Sequence, residues 1–388
     1  MRLALPPALL FGRGVSRELP RLLRELGIAN PLLATDPSVA AAGIPERLAR
    51  DLAAAEIPTA IWDGIRPDPD ETHAELCAER LLAGGHDAVV AVGGGSVLDA
   101  AKVGAALAVV GGRAADLFGF HRVRRPGLPL VAVPTTAGSG SEVSSHAVLV
   151  GLGEGSSPRK KEVVAGFYLL PRATIVDPDW TATLPAAATA HSALDALIHA
   201  IEAYLARGAT PFTDTFALPA LPRLVAALPR VLRRPDDAVA REELSLGGLF
   251  AGCAMANANA GAIHALGYPL TSRYGVPHGL ANALMAPATL ARIWQAAPER
   301  SGEAARALGG ERGADLAERM RAFLAEIGLT DSLASWGVAP DHLPELAHEA
   351  TRYRPVLDNT PVALSEADLL AIYRSAYAAE RGSLHGLD

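Results

Sequence analysis

The apolar positions change their period near residue 180. Before it, short unbroken apolar runs alternate with amphipathic stretches. PLLATD (Pro31–Asp36) and TAIWDGI (Thr59–Ile65) have strand length, and DAVVAVGGGS, ending at Ser96, is a buried strand that runs into glycines. Pro45–Ala55 and Pro69–Gly84 read as helices, and Ser96–Val110 continues the alternation as a third. Such alternation predicts a parallel sheet with helices on its faces. The strands' carboxyl ends then share one edge, where ligands bind. After Ile175–Pro185 the strand pattern stops. Apolar residues at three and four spacing predict helices over Ala186–Ala206, Thr213–Leu228, Ala238–Ala258, Leu280–Gln295, Gly313–Ile327, Leu343–Glu349 and Ser365–Ala379. Pro211, Pro235, Gly275 and Gly337 mark joints between them. The expected fold class is α/β plus all-α: a Rossmann-like parallel-sheet domain over 1–180 and a helical domain over 181–388. The cleft between two such domains is the expected active site.

Composition narrows the class. Half of the 388 residues are hydrophobic and 20% are charged, which supports a large core and argues against disorder. A net charge of −7 without a basic block argues against a nucleic-acid partner, and HRVRRPG (His121–Gly127) reads as a solvated loop. Cys77 and Cys253 form neither a disulfide framework nor a CxxC motif, and read as small buried hydrophobes. The opening MRLALPPALLFGRG lacks a cleavage site, and no apolar run reaches membrane-spanning length. The expectation is a soluble cytoplasmic protein with no membrane partner.

Two loops at the sheet edge point to a ligand. Gly93, Gly94, Gly95 and Ser96 lie between strand and helix, where glycines let the backbone approach an anion and the helix presents free N–H groups. A pyrophosphate fits there. The local alternative, compatible with it, is a tight turn in which Ser96 caps the helix and Asp99 completes a capping box. LVAVPTTAGSGSE (Leu130–Glu142) is a second strand running into hydroxyls: Thr135, Thr136, Ser139 and Ser141. Asp36, after the first strand, either accepts ribose hydroxyls, favouring NAD over NADP, or is ordinary Asp-Pro turn chemistry.

In the helical half, Asp195 and His199 stand four apart in LDALIHAIEAY, on one helix face. His264 and His278 lie fourteen positions apart in GAIHALGYPLTSRYGVPHG, with Pro269 and Pro277 between them. They cannot share one straight helix, and each is expected near a helix end. Each residue alone reads as an ordinary buried polar group. One carboxylate and three imidazoles in an apolar setting together make a divalent-metal set.

GGGSVLDAAK (Gly93–Lys102), VPTTAGSGSE (Val133–Glu142), DALIHAIEAY (Asp195–Tyr204) and HALGYPLTSRYGVPHGLANALMAP (His264–Pro287) resemble the iron-containing, group III alcohol dehydrogenases; FGRG at Phe11–Gly14 and TDP at Thr35–Pro37 fit the same pattern. The resemblance runs in order along nearly the whole chain. It implies the dehydroquinate-synthase-like two-domain fold and usually a homodimer. It implies Asp195, His199, His264 and His278 as ligands of Fe²⁺, or of Zn²⁺ or another divalent ion. It places Gly94, Gly95 and Ser96 on the pyrophosphate, Thr135, Thr136 and Ser141 along the cofactor, and Lys161 near the nicotinamide ribose. It also ties Asp36 to NAD rather than NADP. Many members carry a second histidine where this chain has Tyr268. Tyr268 resembles the branches of hydroxyacid–oxoacid transhydrogenase and phosphonoacetaldehyde reductase, whose substrates are acidic; its phenol either relays a proton or packs against the nicotinamide.

The expected activity is a metal-dependent NAD(H) alcohol dehydrogenase or aldehyde reductase on a small alcohol or aldehyde, with Tyr268 and His278 at the reacting centre. One alternative is a reductase or transhydrogenase of an acidic aldehyde or hydroxyacid, of the phosphonoacetaldehyde or succinic semialdehyde type. Another is a dehydroquinate-synthase-like lyase, whose phosphorylated substrate calls for several basic residues; only Arg273 and Lys161 lie near the motifs.

Overall fold

The computed structural model describes residues 3–152, 160–311 and 315–382, the side chains of 379–382 excepted. Its contacts divide the chain into two units, Met1–Pro185 and Ala186–Asp388.

In chain order the first unit runs β1 (Ala8–Phe11), α1 (Leu19–Glu25), β2 (Pro31–Ala34), α2 (Pro37–Ala41), α3 (Ile44–Ala54), β3 (Ala60–Trp62), α4 (Glu71–Ala83), β4 (Ala88–Gly93), α5 (Gly95–Val110), β5 (Gly119–Phe120), β6 (Leu130–Pro134), β7 (His146–Gly151), β8 (Lys160–Ala165) and β9 (Ala173–Val176). The main sheet has the order β1-β9-β6-β4-β2-β3, and its strands are parallel. A smaller sheet, β5-β8-β7, pairs β7 and β8 antiparallel. The central strands read as unbroken apolar runs because both faces are covered. Leu32, Val89, Ala91, Leu130 and Ala132 enter one core with Leu81 of α4 and Leu98 of α5. Their neighbours Leu33, Val90, Val92, Val131 and Val133 enter the other with Leu22, Leu48 and Leu52 of α1 and α3. Cys77 and Cys253 are buried and form no disulfide, and burial pushes the Cys77 thiol up to about 12. His121–Gly127 forms an exposed loop pinned by buried Val123.

The second unit is helical: α6 (Ala186–Leu205), α7 (Pro211–Arg233), α8 (Ala238–Ala258), α9 (Ala262–Tyr274), α10 (His278–Ile293), α11 (Pro298–Ala307), α12 (Leu316–Glu326), α13 (Leu343–Ala350), α14 (Arg354–Leu357) and α15 (Glu366–Gly382). The helix expected over Gly313–Ile327 is described from Asp315 onward; 312–314 lie outside the described residues. As expected, His264 and His278 lie on different helices, each at a helix start, but Pro269 is not the break between them. Helix α9 runs through it, because its buried face compensates the one lost backbone bond. The break comes at Gly275, left-handed at φ 68°. Helix α7 corrects the expectation that no apolar run is long enough to cross a membrane: its 23 residues suffice by length and composition. It carries three internal prolines and packs on α6 and α8.

Candidate metal centre and cofactor edge

Three neighbouring strands of the first unit end in the residues singled out above. Asp36 follows β2, Gly93–Ser96 follow β4, and Thr135–Ser141 follow β6. Helix α5 begins at Gly95 with Gly94 as its N-cap and no side-chain cap. Ser96 therefore does not cap it, and Asp99 forms no capping box. The Asp99 carboxylate instead accepts from the Ser141 hydroxyl at 2.6 Å and from Val148 N–H at 2.8 Å. The first N–H groups of α5 are left for an anion. A Cβ at Gly95 would stand 2.8 Å from Ser139 Cβ, which forces a shift, and one at Gly94 would make a tight contact, 3.2 Å from Thr136 Cγ2. The glycine and hydroxyl loops thus touch.

Asp36 caps α2, its Oδ1 accepting from Ser38 and Val39 N–H at 2.8 and 3.1 Å, which leaves Oδ2 for a ligand. Lys161 pairs with Asp68, whose N–H donates to Ser96 Oγ at 3.3 Å. Lys161 is therefore tied to the glycine loop through a residue that sequence reasoning missed. Thr135 is buried against β4, its N–H donating to Gly93 O at 3.1 Å.

The second unit gathers the other four residues. Asp195 and His199 lie a turn apart on α6, His264 is the third residue of α9, and His278 opens α10. Helix α10 reaches Asp195 because residue 279 is glycine. A Cβ there would stand 1.9 Å from the His191 carbonyl and 3.0 Å from Asp195 Cβ. Asp195 Oδ1 is 3.5 Å from His264 Nε2, 3.7 Å from His278 Nε2 and 3.9 Å from His199 Nε2. Donors bound tetrahedrally to one ion at about 2.1 Å stand about 3.4 Å apart, so these separations suit a shared cation. Asp195, His199 and His264 are buried and His278 is one-third exposed.

The electrostatics also call for a cation. Burial raises the Asp195 carboxyl, but the imidazoles of His199, His278 and His264 outweigh it and hold it well below the carboxylate range. Burial lowers the His264 imidazole, but its contacts with Asp195 and Glu202 outweigh this and push it up to about 9. His264 Nε2 is buried with no hydrogen-bond partner. An imidazole nitrogen in that position, facing a carboxylate oxygen, has the chemistry of a metal donor.

Further residues complete the set. Asn282 donates to Asp195 Oδ1 at 3.0 Å and lies 3.3 Å from His278 Nε2. It fits because position 267 is glycine, where a Cβ would stand 2.1 Å from the Asn282 amide oxygen. Tyr268, one turn after His264, stacks flat on His278 with centroids 5.4 Å apart, and Tyr353 packs on Tyr268 at 4.7 Å. These two half-buried rings flank His278, the one member of the four that reaches solvent. Arg273 is not free for an anionic substrate: it pairs with Glu345 at 2.8 Å and Glu349 at 2.6 Å. Glu202 and Asn282 had a signal in the spacing, seven after Asp195 and four after His278; Tyr353 had none.

A parallel sheet with an uncapped helix start at its carboxyl edge, joined to a helical unit with a buried carboxylate–imidazole set, defines a two-part dehydrogenase fold of the dehydroquinate-synthase-like class. The chain belongs to the iron-containing alcohol dehydrogenases, oxidoreductases acting on CH–OH groups. The description "Iron-containing alcohol dehydrogenase" matches residues 6–178, and "Fe-containing alcohol dehydrogenase family, C-terminal" matches 189–377. It is 33% identical to long-chain-alcohol dehydrogenase 1 of Geobacillus thermodenitrificans over 97% of both chains. A solved 1,3-propanediol oxidoreductase superimposes with a TM-score of 0.92 at 31% identity, covering 97% of this chain and 99% of that one. Sulfoacetaldehyde reductase from Bifidobacterium kashiwanohense, solved with NAD⁺, superimposes with a TM-score of 0.87 at 28% identity, covering 97% and 98%.

Proposed function

We propose that the chain transfers hydride between NAD(H) and a small, neutral primary alcohol or aldehyde. The first unit holds the dinucleotide, and Asp195, His199, His264 and His278 of the second hold Fe²⁺, Zn²⁺ or a similar divalent ion. The observation that carries this reading is the convergence of three imidazole nitrogens on Asp195 Oδ1, one of them buried without a hydrogen-bond partner.

Bound there, the ion supplies Lewis acidity at the substrate oxygen and the nicotinamide supplies or accepts the hydride. The protein's own part is positioning. The free N–H groups at Gly94–Ser96 take the pyrophosphate. Asp36 Oδ2 takes a ribose hydroxyl and repels a 2′-phosphate. Thr135, Thr136 and Ser141 line the cofactor, and Asp99 holds Ser141 in place rather than touching the cofactor itself. Lys161 acts at the nicotinamide ribose, positioned by Asp68.

His278 and Tyr268 form the side from which substrate arrives. Tyr268, stacked flat on His278, serves as a wall with Tyr353 rather than as a proton relay. Two aromatic rings, with the nearby arginine already neutralised by two glutamates, favour a neutral substrate over an acidic one.

The test is steady-state kinetics of Fe²⁺-loaded protein with NADH and NADPH on propanal, succinic semialdehyde and phosphonoacetaldehyde. NADH is the preferred cofactor, and propanal exceeds both acidic aldehydes in kcat/KM by about 10–100-fold. Tyr353→Ala opens the wall and shifts preference toward longer aldehydes. Faster turnover of an acidic aldehyde would overturn the substrate assignment and restore the acidic branches.

A further inference from the structure

Glu202 lies on the same face of α6 as Asp195 and His199, and it is 4% exposed. A buried carboxylate needs several donors, and Glu202 has them. Its Oε1 accepts from Ile263 N–H at 2.6 Å, and its Oε2 accepts from Gly261 N–H at 2.9 Å and faces His264 Nδ1 at 2.6 Å. Gly261 and Ile263 begin α9, which has no side-chain cap of its own. The carboxylate thus caps one helix from another. It also requires glycine at 261, where a Cβ would stand 2.9 Å from Oε1.

The same contact decides which nitrogen of His264 faces Asp195. An ionised carboxylate only accepts, so Nδ1 carries a proton and donates it to Glu202. In the neutral imidazole that a metal requires, the lone pair then falls on Nε2, buried and 3.5 Å from Asp195 Oδ1; an incoming ion displaces the proton that the two carboxylates otherwise hold there. A carboxylate on the far nitrogen fixes a ligand's orientation and raises its basicity.

We propose that Glu202 is the positioning residue of the metal set, holding His264 as the Nδ1–H tautomer so that Nε2 binds the ion. The proposal rests on the reading of the four residues as a metal set. Glutamine at 202 reverses the local chemistry. Its carbonyl oxygen still caps α9, but its amide NH₂ meets His264 Nδ1 as a donor and moves the imidazole proton to Nε2. Aspartate keeps the acceptor on a shorter arm.

The experiment measures Co²⁺ and Zn²⁺ affinity of metal-stripped parent, Glu202→Gln, Glu202→Asp and His264→Ala by competition with a chelating dye, together with the Co²⁺ visible spectrum. Glu202→Gln binds about 10–100-fold more weakly than parent with an altered Co²⁺ band, and Glu202→Asp falls between them. Parent-like affinity and spectrum in Glu202→Gln, with His264→Ala impaired, would reduce Glu202 to a helix cap and overturn the proposal alone. A parent that binds neither ion would overturn the metal-set reading with it. Should Glu202→Gln not fold, ¹⁵N-histidine spectra of the Zn²⁺-loaded parent decide. Protonated Nδ1 on His264 supports the proposal, and a metal-bound Nδ1 overturns it.

Discussion

At the scale of single residues, absent side chains matter as much as present ones. Gly279 has no β-carbon, and that lets α10 press its first turn against α6. Alanine there would meet the His191 carbonyl at 1.9 Å, with backbone on both sides and little room to yield. Gly279→Ala is expected to cost about 3 kcal/mol, the upper end for overpacking, and to weaken metal binding by moving His278 away from Asp195. Thermal unfolding and Co²⁺ titration of the variant check both parts; an unchanged Co²⁺ affinity would show that α10 tolerates the shift. The cluster of Asp195, His199, His264 and His278 was legible in the sequence because a carboxylate and imidazoles in apolar, small-residue stretches need an explanation. Glycine 279 was legible only as a residue after a histidine. Its reason is a contact with His191, 88 positions earlier in the sequence. Tyr353 lies 85 positions from Tyr268, and nothing local marks their pairing.

At the scale of elements, one buried polar cluster ties α5 to the hydroxyl loop and to β7. Lys102, 2% exposed, donates to Ser144 O at 2.9 Å and His146 O at 2.7 Å, while Asp99 holds Ser141 and the β7 backbone. Burial lowers the Lys102 ammonium to about 8, and burial raises the Glu142 carboxyl to about 7. Between pH 4.5 and about 7 the folded chain keeps a proton on Glu142 that the unfolded chain has released. Stability present below that window is therefore lost as pH rises through it. Glu142→Gln removes this loss, so the difference in unfolding free energy between variant and parent grows with pH, by about 3 kcal/mol across the window. Urea unfolding of both proteins at several pH values tests it, and a flat difference would mean that Glu142 ionises normally in the fold. The central strands here were legible because a sheet covered on both faces needs unbroken apolar runs. The small β5-β8-β7 sheet was not: β5 is only two residues long and β8 opens on Lys160, Lys161 and Glu162, so β7, although a strand-like apolar run, has no evident local partner. Helix α9 was obscured by Pro269, whose missing hydrogen bond is tolerated only because the helix is buried.

At the scale of the molecule, the two chemistries sit on separate stretches of chain. Every cofactor candidate lies within Met1–Pro185 and every candidate metal donor within Ala186–Asp388. A ligand stabilises the native state by mass action through the residues it binds, about 2.7 kcal/mol at a hundredfold excess over Kd. Hydrogen exchange should therefore respond in different places to the two ligands. Adding Zn²⁺ to metal-stripped protein is expected to protect α6 around Asp195–Glu202, the start of α9 at Gly261–His264, and the first turn of α10. Adding NAD⁺ is expected to protect the start of α5 and the loop over Thr135–Ser141. The amides of Gly261 and Ile263 are the most informative, because both donate to Glu202, and Glu202 in turn holds His264. If the ion orders that chain of contacts, those two amides slow together with α6 and do so in proportion to metal occupancy. If Zn²⁺ slows exchange at the α5 start and leaves α6 and α9 unchanged, the ion binds elsewhere, and the assignment of Asp195, His199, His264 and His278 fails with it.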